Sequence, residues 1–145
     1  MNVSTLLLVL GIIIVSVIVA DRESSCRAKG FDTETLLCGI CAKLEEVTGK
    51  EVGKDCLQCC YSPYASVKLS ASQIAAMRSS GLNDFVSTRK SKFQTPIDVE
   101  ITMSRDEQVR LVLESPDGET TSIRVTHWGA NDLEDYLAQY FARTA

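Results

Sequence analysis

Alternating apolar and polar residues predict the strands in the second half of the chain. Between residues 97 and 103 every second residue is apolar, which indicates a strand with one buried face. The apolar positions of this strand are Ile97, Val99, Ile101 and Met103. Residues 107–128 alternate in the same way on both sides of Pro116-Asp117-Gly118. They predict a β-hairpin, because proline presets φ and glycine allows a positive φ in the turn.

A last helix is predicted by apolar residues spaced three and four apart, the pattern of a helix with one buried face. This stripe consists of Leu133, Tyr136, Leu137, Tyr140 and Phe141. Asn131 is the expected N-cap. The acidic residues Asp132, Glu134 and Asp135 follow in the first turn, where the helix dipole favours negative charge.

A strand and a helix are also predicted upstream of these elements. Residues 64–69 predict the strand, and residues 70–89 predict a helix that breaks near Gly81. Ser70 and Gln73 stand three residues apart, so we expect a capping box at the start of this helix. The resulting order, β-α-β-β-β-α, is the minimal thioredoxin-like order.

The N-terminal segment is too apolar to belong to a soluble fold. Leu6–Ala20 is an apolar run of fifteen residues that contains one polar residue, Ser16, and it is shorter than the roughly 20 residues of a membrane span. We interpret residues 1–20 as a signal peptide with a cleavage site after Ala20. Counted from Val3 the run is long enough for an uncleaved anchor, which is the alternative. In both cases the remaining chain enters the secretory pathway, where thiols oxidise.

All six cysteines lie in a short segment behind this apolar run. They are Cys26, Cys38, Cys41, Cys56, Cys59 and Cys60. An even number of cysteines in an oxidising compartment favours disulfides, and residues 21–61 form too small a module to fold on a hydrophobic core alone. The sequence leaves the pairing open, but the adjacent Cys59 and Cys60 are too close to bond each other and should reach different partners. The spacing also resembles a zinc ribbon, so a zinc-binding or secreted interaction protein is one alternative.

Two C-x-x-C motifs, Cys38 to Cys41 and Cys56 to Cys59, raise a second alternative, a thiol–disulfide oxidoreductase. A catalytic C-x-x-C needs a lowered thiol pKa, commonly where a helix begins after a strand. Here both motifs lie inside predicted helices with no strand before them. We therefore favour structural disulfides and predict an α+β chain: a small disulfide-rich helical module (21–61) followed by a thioredoxin-like domain (62–145).

Charge and residue types exclude several other functions. The net charge of −4 argues against a nucleic-acid partner, which would require a basic surface. His127 is the only histidine, and we expect it to be a strand-end residue beside Trp128. We predict no metal site, no cofactor and, after signal cleavage, no membrane contact.

Both halves of the chain together resemble a known family. The segment "CRAKGFDTETLLCGICAKLEE…KDCLQCC", followed by a thioredoxin-like domain that ends in "THW…NDLEDYLAQYF", is similar to the selenoprotein F and selenoprotein M family. The likeness runs from Cys26 to about Phe141, and the cysteine spacing is its most specific part. It implies a role in glycoprotein folding quality control in the lumen of the endoplasmic reticulum (ER). It also implies that the cysteine-rich module binds UDP-glucose:glycoprotein glucosyltransferase. Because the final residues, "FARTA", are not a retention signal, we expect residence in the ER to depend on a bound partner.

The chain departs from this family at the redox motif. Family members carry Cys-x-selenocysteine or Cys-x-Cys between the first strand and the first helix. One register of the resemblance places these positions at Ser72 and Ile74, and a second places them at Arg78 and Ser80. Thiol–disulfide exchange requires a thiolate, and neither register provides one. We therefore expect a redox-inactive thioredoxin-like domain with no catalytic residue.

Overall fold

The structure, a computed structural model, describes residues 21–143, so the predicted signal peptide at residues 1–20 lies outside the described residues. The α+β fold class is confirmed: a disulfide-linked helical region is followed by helices around a four-stranded mixed sheet. Among residues 21–143, no helix has both the length and the apolar character needed to cross a membrane.

The helical module consists of three helices and one short turn. Residues 21–28 are helical (α1), a 3-10 turn spans Cys38–Ile40, and two antiparallel helices follow, α2 (Cys41–Thr48) and α3 (Lys50–Cys59). Helices α2 and α3 pack closely because Gly53 has no side chain. A Cβ at Gly53 would lie 2.6 Å from the Cβ of Glu45 on α2.

The thioredoxin-like domain begins with strand β1 (Ser66–Ser72). Two short helices follow, α4 (Gln73–Arg78) and α5 (Ser80–Asp84), and the chain stays helical through Lys92. The predicted break is present, but at Ser79 and not at Gly81. Ser79 is extended (φ −89°, ψ 94°) and its hydroxyl accepts a hydrogen bond from the N–H of Leu82, so it starts a new helix.

The remaining strands complete one sheet. They are β2 (Ile97–Thr102), β3 (Val109–Glu114) and β4 (Thr120–Arg124), in the spatial order β2-β1-β3-β4. Strand β1 pairs parallel to β2 and antiparallel to β3, and β3 pairs antiparallel to β4. The predicted hairpin joins β3 to β4, with Gly118 at φ +88° in its turn. The order β-α-β-β-β-α is confirmed.

One face of the sheet forms the main core with helix α6 (Ala130–Leu137). The inward residues of β1 and β3 are buried, as are Leu133, Leu137 and Phe141 of the predicted apolar stripe. Tyr136 and Tyr140 of that stripe are partly buried against the same core. The cysteine-rich module contacts the end of this helix, since a Cβ on Gly39 would clash with the backbone of Ala138 and Gln139.

Two predicted helix caps are wrong. Ser70 remains in β1, where it is paired with residues of both neighbouring strands, and Ser72 caps α4 instead. Asn131 lies within α6, which begins at Ala130. The carboxylate of Asp132 accepts a hydrogen bond from the N–H of Gly129 at 2.8 Å and fixes this earlier start.

The predicted buried face of β2 is only half correct. Ile97 is buried and Val99 is partly buried, but Ile101 and Met103 are exposed. The alternation is real, yet β2 lies at the edge of the sheet and the core covers only its first half. Met103 lies beyond the end of the strand.

Candidate functional site

Three disulfides link the helices of the cysteine-rich module. They join Cys26 to Cys59, Cys38 to Cys60, and Cys41 to Cys56. The adjacent Cys59 and Cys60 therefore bond different partners, as expected from their spacing. Every bridge ends on α3 or on the residue directly after it, so this helix holds α1, the 3-10 turn and α2 in place.

The pairing bears directly on the two C-x-x-C motifs. Neither motif is closed on itself, because Cys38 and Cys41 bond Cys60 and Cys56 respectively. Five of the six cysteines are buried. In this oxidised form no thiolate remains to attack a disulfide or to bind zinc. The six sulfurs thus act as structural links between helices.

The junction of β1 and α4 contains the positions of the first redox register. Ser72 ends β1 and caps α4, and Ile74 lies in the first turn of that helix. The hydroxyl oxygen of Ser72 is buried and accepts a hydrogen bond from the N–H of Ala75 at 3.1 Å. Ile74, in contrast, is exposed. A serine in this position supports the helix but cannot exchange a disulfide.

The positions of the second register lie one helix further on. Arg78 ends α4 and Ser80 begins α5, on either side of the break at Ser79. The guanidinium of Arg78 forms an ion pair with Glu107, which precedes β3, at 2.8 Å. Arg78 and Ser80 therefore lie between two helices, whereas the redox pair of the family lies between a strand and a helix.

An open groove lies beside this break. Residues 78–84 and the loop that connects β4 to α6 line a cavity of about 500 Å³. A smaller cavity of about 230 Å³ adjoins it and shares Arg78, Ser79, Thr126 and His127. Gly81 permits the close approach of the two walls, since a Cβ there would clash with the carbonyl oxygen of Trp128. This groove was not predictable from the sequence, because no motif spans its two walls.

Aromatic residues support the wall of the groove that carries Trp128. The ring centroid of Trp128 lies 5.4 Å from that of Tyr136, and Tyr136 lies 5.5 Å from Tyr140, both edge to face. Burial, the neighbouring Tyr140 and Tyr64, and a hydrogen bond with Tyr140 raise the pKa of Tyr136 to about 12. The phenol therefore stays neutral, and this aromatic cluster packs against the core.

A buried carboxylate holds the C-terminal part of the domain together. Glu134 on α6 is buried and lies 2.6 Å from Arg89, 3.2 Å from Lys92 and 3.4 Å from Arg143. Burial alone would raise the pKa of the Glu134 carboxyl. Hydrogen bonds from Arg89 and Lys92, and the charges of Lys92 and Arg143, outweigh the effect of burial and hold the pKa below its ordinary value of 4.5. From the sequence, Glu134 was expected only to complement the helix dipole, and this cluster was not predicted.

A second groove lies where the module meets the domain. It has a volume of about 380 Å³. Ala42, Glu45, Glu46 and Leu57 line its module side, and Gln94 and Arg143 line its domain side. Val47, next to Glu46, is almost fully exposed. The module therefore presents apolar and acidic side chains on a framework fixed by disulfides.

Comparisons with protein-family models, with curated proteins and with solved structures give no match for this chain.

Proposed function

We propose that this chain is a selenoprotein F-like protein of the ER lumen that acts in glycoprotein folding quality control. In this proposal it is a binding subunit and not an oxidoreductase. Its cysteine-rich module binds UDP-glucose:glycoprotein glucosyltransferase, and its thioredoxin-like domain carries the module. One observation supports this most: an intact module with three disulfides precedes a thioredoxin-like domain whose strand–helix junction holds Ser72.

The module is suited to binding because its surface is apolar in places and its backbone is held rigid. Val47 and Leu57 are exposed large apolar residues on α2 and α3. Three cross-links limit the conformations that a partner would have to order, and pre-organisation of this kind favours affinity. With Glu45 and Glu46 beside them, these apolar side chains match the plan of a protein interface, in which a polar rim surrounds an apolar centre.

The thioredoxin-like domain is suited to a supporting role. Thiol–disulfide exchange needs a sulfur nucleophile, and all six cysteines of the chain lie in the module, within disulfides. At the junction itself, the buried hydroxyl of Ser72 already serves as a helix cap.

Binding to purified UDP-glucose:glycoprotein glucosyltransferase tests this proposal. The oxidised protein is immobilised, and its affinity for the enzyme is measured by interferometry. Val47→Glu and Leu57→Glu place a charge on the module surface and should each weaken binding about tenfold or more. Met103→Glu is the matched control for Val47→Glu, because both residues are apolar and almost fully exposed but Met103 lies on the thioredoxin-like domain.

The control should bind like the unmodified protein. Loss of binding in Met103→Glu with full binding in both module variants would place the interface on the wrong domain. Absence of any binding by the unmodified protein would refute the proposed partner.

A further inference from the structure

The outer edge of the sheet at β2 offers free backbone groups. Strand β2 is the first in the order β2-β1-β3-β4, so only its inner side is paired, with β1. Within residues 21–143, no backbone hydrogen bond joins residues 97–102 to a segment other than β1. The outward N–H and C=O groups of β2 can therefore pair with another strand.

One face of β2 is apolar and only partly covered. The exposed fraction of the apolar side chains rises from 3% at Ile97 to 50% at Ile101 and to 94% at Met103, the residue directly after β2. Ile74 and Met77 on α4 are also exposed. They lie near the end of β2 that carries Ile101, because α4 starts where β1 ends and Ser72 is paired with Thr102. Among residues 21–143, no segment covers these exposed apolar side chains.

The other face of β2 is acidic. Asp98 and Glu100 are both exposed. Lys68 on β1 is paired with Asp98 in the sheet and lies 3.3 Å from the carboxylate of Glu100, so one ammonium faces two carboxylates. Arg110 and Arg124 lie on the same face but on β3 and β4, away from the edge, so the charge beside β2 is negative.

The negative charge of Asp98 and Glu100 determines which kind of strand can pair with the free edge of β2. A second copy of the chain would bring two acidic rows side by side, and like charges on neighbouring strands are destabilising. A strand with lysine or arginine at alternate positions would instead place a cation beside Asp98 and another beside Glu100. Its intervening residues would point to the apolar face.

From these observations we propose that the β2 edge binds an extended peptide in which apolar residues alternate with lysine or arginine. The peptide adds a fifth strand and bonds β2 through its main chain. Its apolar side chains cover Val99, Ile101 and Met103, and its cations face Asp98 and Glu100. The inference is independent of the proposed partner of the module.

Synthetic peptides test the proposal with the oxidised, unmodified protein. A fluorescent peptide of four valine–lysine repeats is titrated with the protein, and binding is followed by anisotropy. The matched control replaces every lysine by glutamate and should bind about tenfold more weakly or not at all. Two further valine–lysine peptides carry N-methyl groups on either the odd or the even residues. Successive N–H groups of a strand point to opposite edges, so only one of the two sets can bond to β2. Only one of the two methylated peptides should therefore lose binding.

Charge reversal of the edge tests the selectivity. Asp98→Lys with Glu100→Lys should invert the preference, so that the valine–glutamate peptide binds better by about tenfold. A gain of binding cannot result from unfolding. The control variant Asp117→Lys with Glu119→Lys alters the same charges in the β3–β4 turn and should keep the original preference.

Three results would overturn the proposal. They are equal binding of the lysine and glutamate peptides, equal binding of the two methylated peptides, and an unchanged preference in the folded charge-reversed variant. Self-association of the unmodified protein through β2, detected by sedimentation and abolished by charge reversal, would make the occupant a second copy and would also refute it.

Discussion

The hydroxyl oxygen of Ser72 accepts a hydrogen bond from the N–H of Ala75 at 3.1 Å, so the last residue of β1 is also the cap of α4. Disulfide exchange at this junction would need a reactive sulfur, and the chain has a buried hydroxyl there. The junction therefore contributes to stability, and its side chain can be tested for that role.

Replacing Ser72 should lower the stability of the thioredoxin-like domain. Ser72→Ala removes the acceptor of the Ala75 N–H and should cost about 1–2 kcal/mol in the free energy of unfolding. Urea denaturation followed by circular dichroism measures this loss. Ser80→Ala is the control, because Ser80 is exposed, and it should change stability by less than about 0.5 kcal/mol. Equal losses in the two variants would contradict the cap.

Introducing a pair of cysteines should show which of the two alignments with the family redox motif is correct. The unmodified protein should show no insulin reduction above the rate without protein, because all of its cysteines are in disulfides. Ser72→Cys with Ile74→Cys places two thiols where β1 meets α4 and should produce measurable turnover. Arg78→Cys with Ser80→Cys serves as the control and should remain inactive. Activity of the control alone would favour the second register, and activity of the unmodified protein would refute redox inactivity.

Removal of one bridge should strongly destabilise the module. Cys41→Ser with Cys56→Ser opens a loop of 15 residues and should cost about 3 kcal/mol. Full reduction should unfold the module, which is too small to fold without links. Circular dichroism with and without reductant measures both effects. A spectrum that reductant leaves unchanged, or that zinc restores after reduction, would contradict the structural role of the disulfides.

Acid should weaken the C-terminal cluster through Glu134. Its folded pKa lies below its unfolded value, so the unfolded chain takes up a proton first as the pH falls. The contribution of Glu134 is therefore complete above the unfolded pKa and is lost as the pH falls through the folded pKa. Denaturation curves between pH 7 and pH 2 should show a steeper acid loss in the unmodified protein than in Glu134→Gln.

At neutral pH, Glu134→Gln should cost about 1–3 kcal/mol, because three cations lose their shared carboxylate. Asp135→Asn is the matched control. Asp135 is 80% exposed and lies 4.0 Å from Arg143, so its loss should change stability by less than about 1 kcal/mol. An equal acid dependence in both variants would exclude the cluster as its cause.

The sequence predicted those parts of the fold that depend on local patterns. The element order, the hairpin turn at Gly118 and the buried positions Leu133, Leu137 and Phe141 follow from periodicity and turn chemistry, which need only neighbouring residues. The caps were less predictable because two serines, Ser70 and Ser72, compete for one role. Pairing with both neighbouring strands keeps Ser70 in β1 and leaves the cap to Ser72.

Features that join distant segments were not predictable. The disulfide pairing depends on how α1 and α2 lie against α3, and six cysteines allow fifteen combinations. The exposure of Ile101 depends on the position of β2 at the edge of the sheet. The cluster at Glu134 brings together residues from helical segments and the C-terminus, 42 and 45 positions apart for Lys92 and Arg89.

The disulfide pattern also has a consequence for the order of synthesis. Each bridge joins one cysteine of the first group (Cys26, Cys38 and Cys41) to one of the last group (Cys56, Cys59 and Cys60). If the chain enters the ER as proposed, from its N-terminus, it exposes three thiols before any native partner has emerged. If the first group is oxidised during this interval, the product is a non-native bridge, such as one between Cys38 and Cys41. Maturation then requires a thiol to reopen that bridge once Cys60 has appeared.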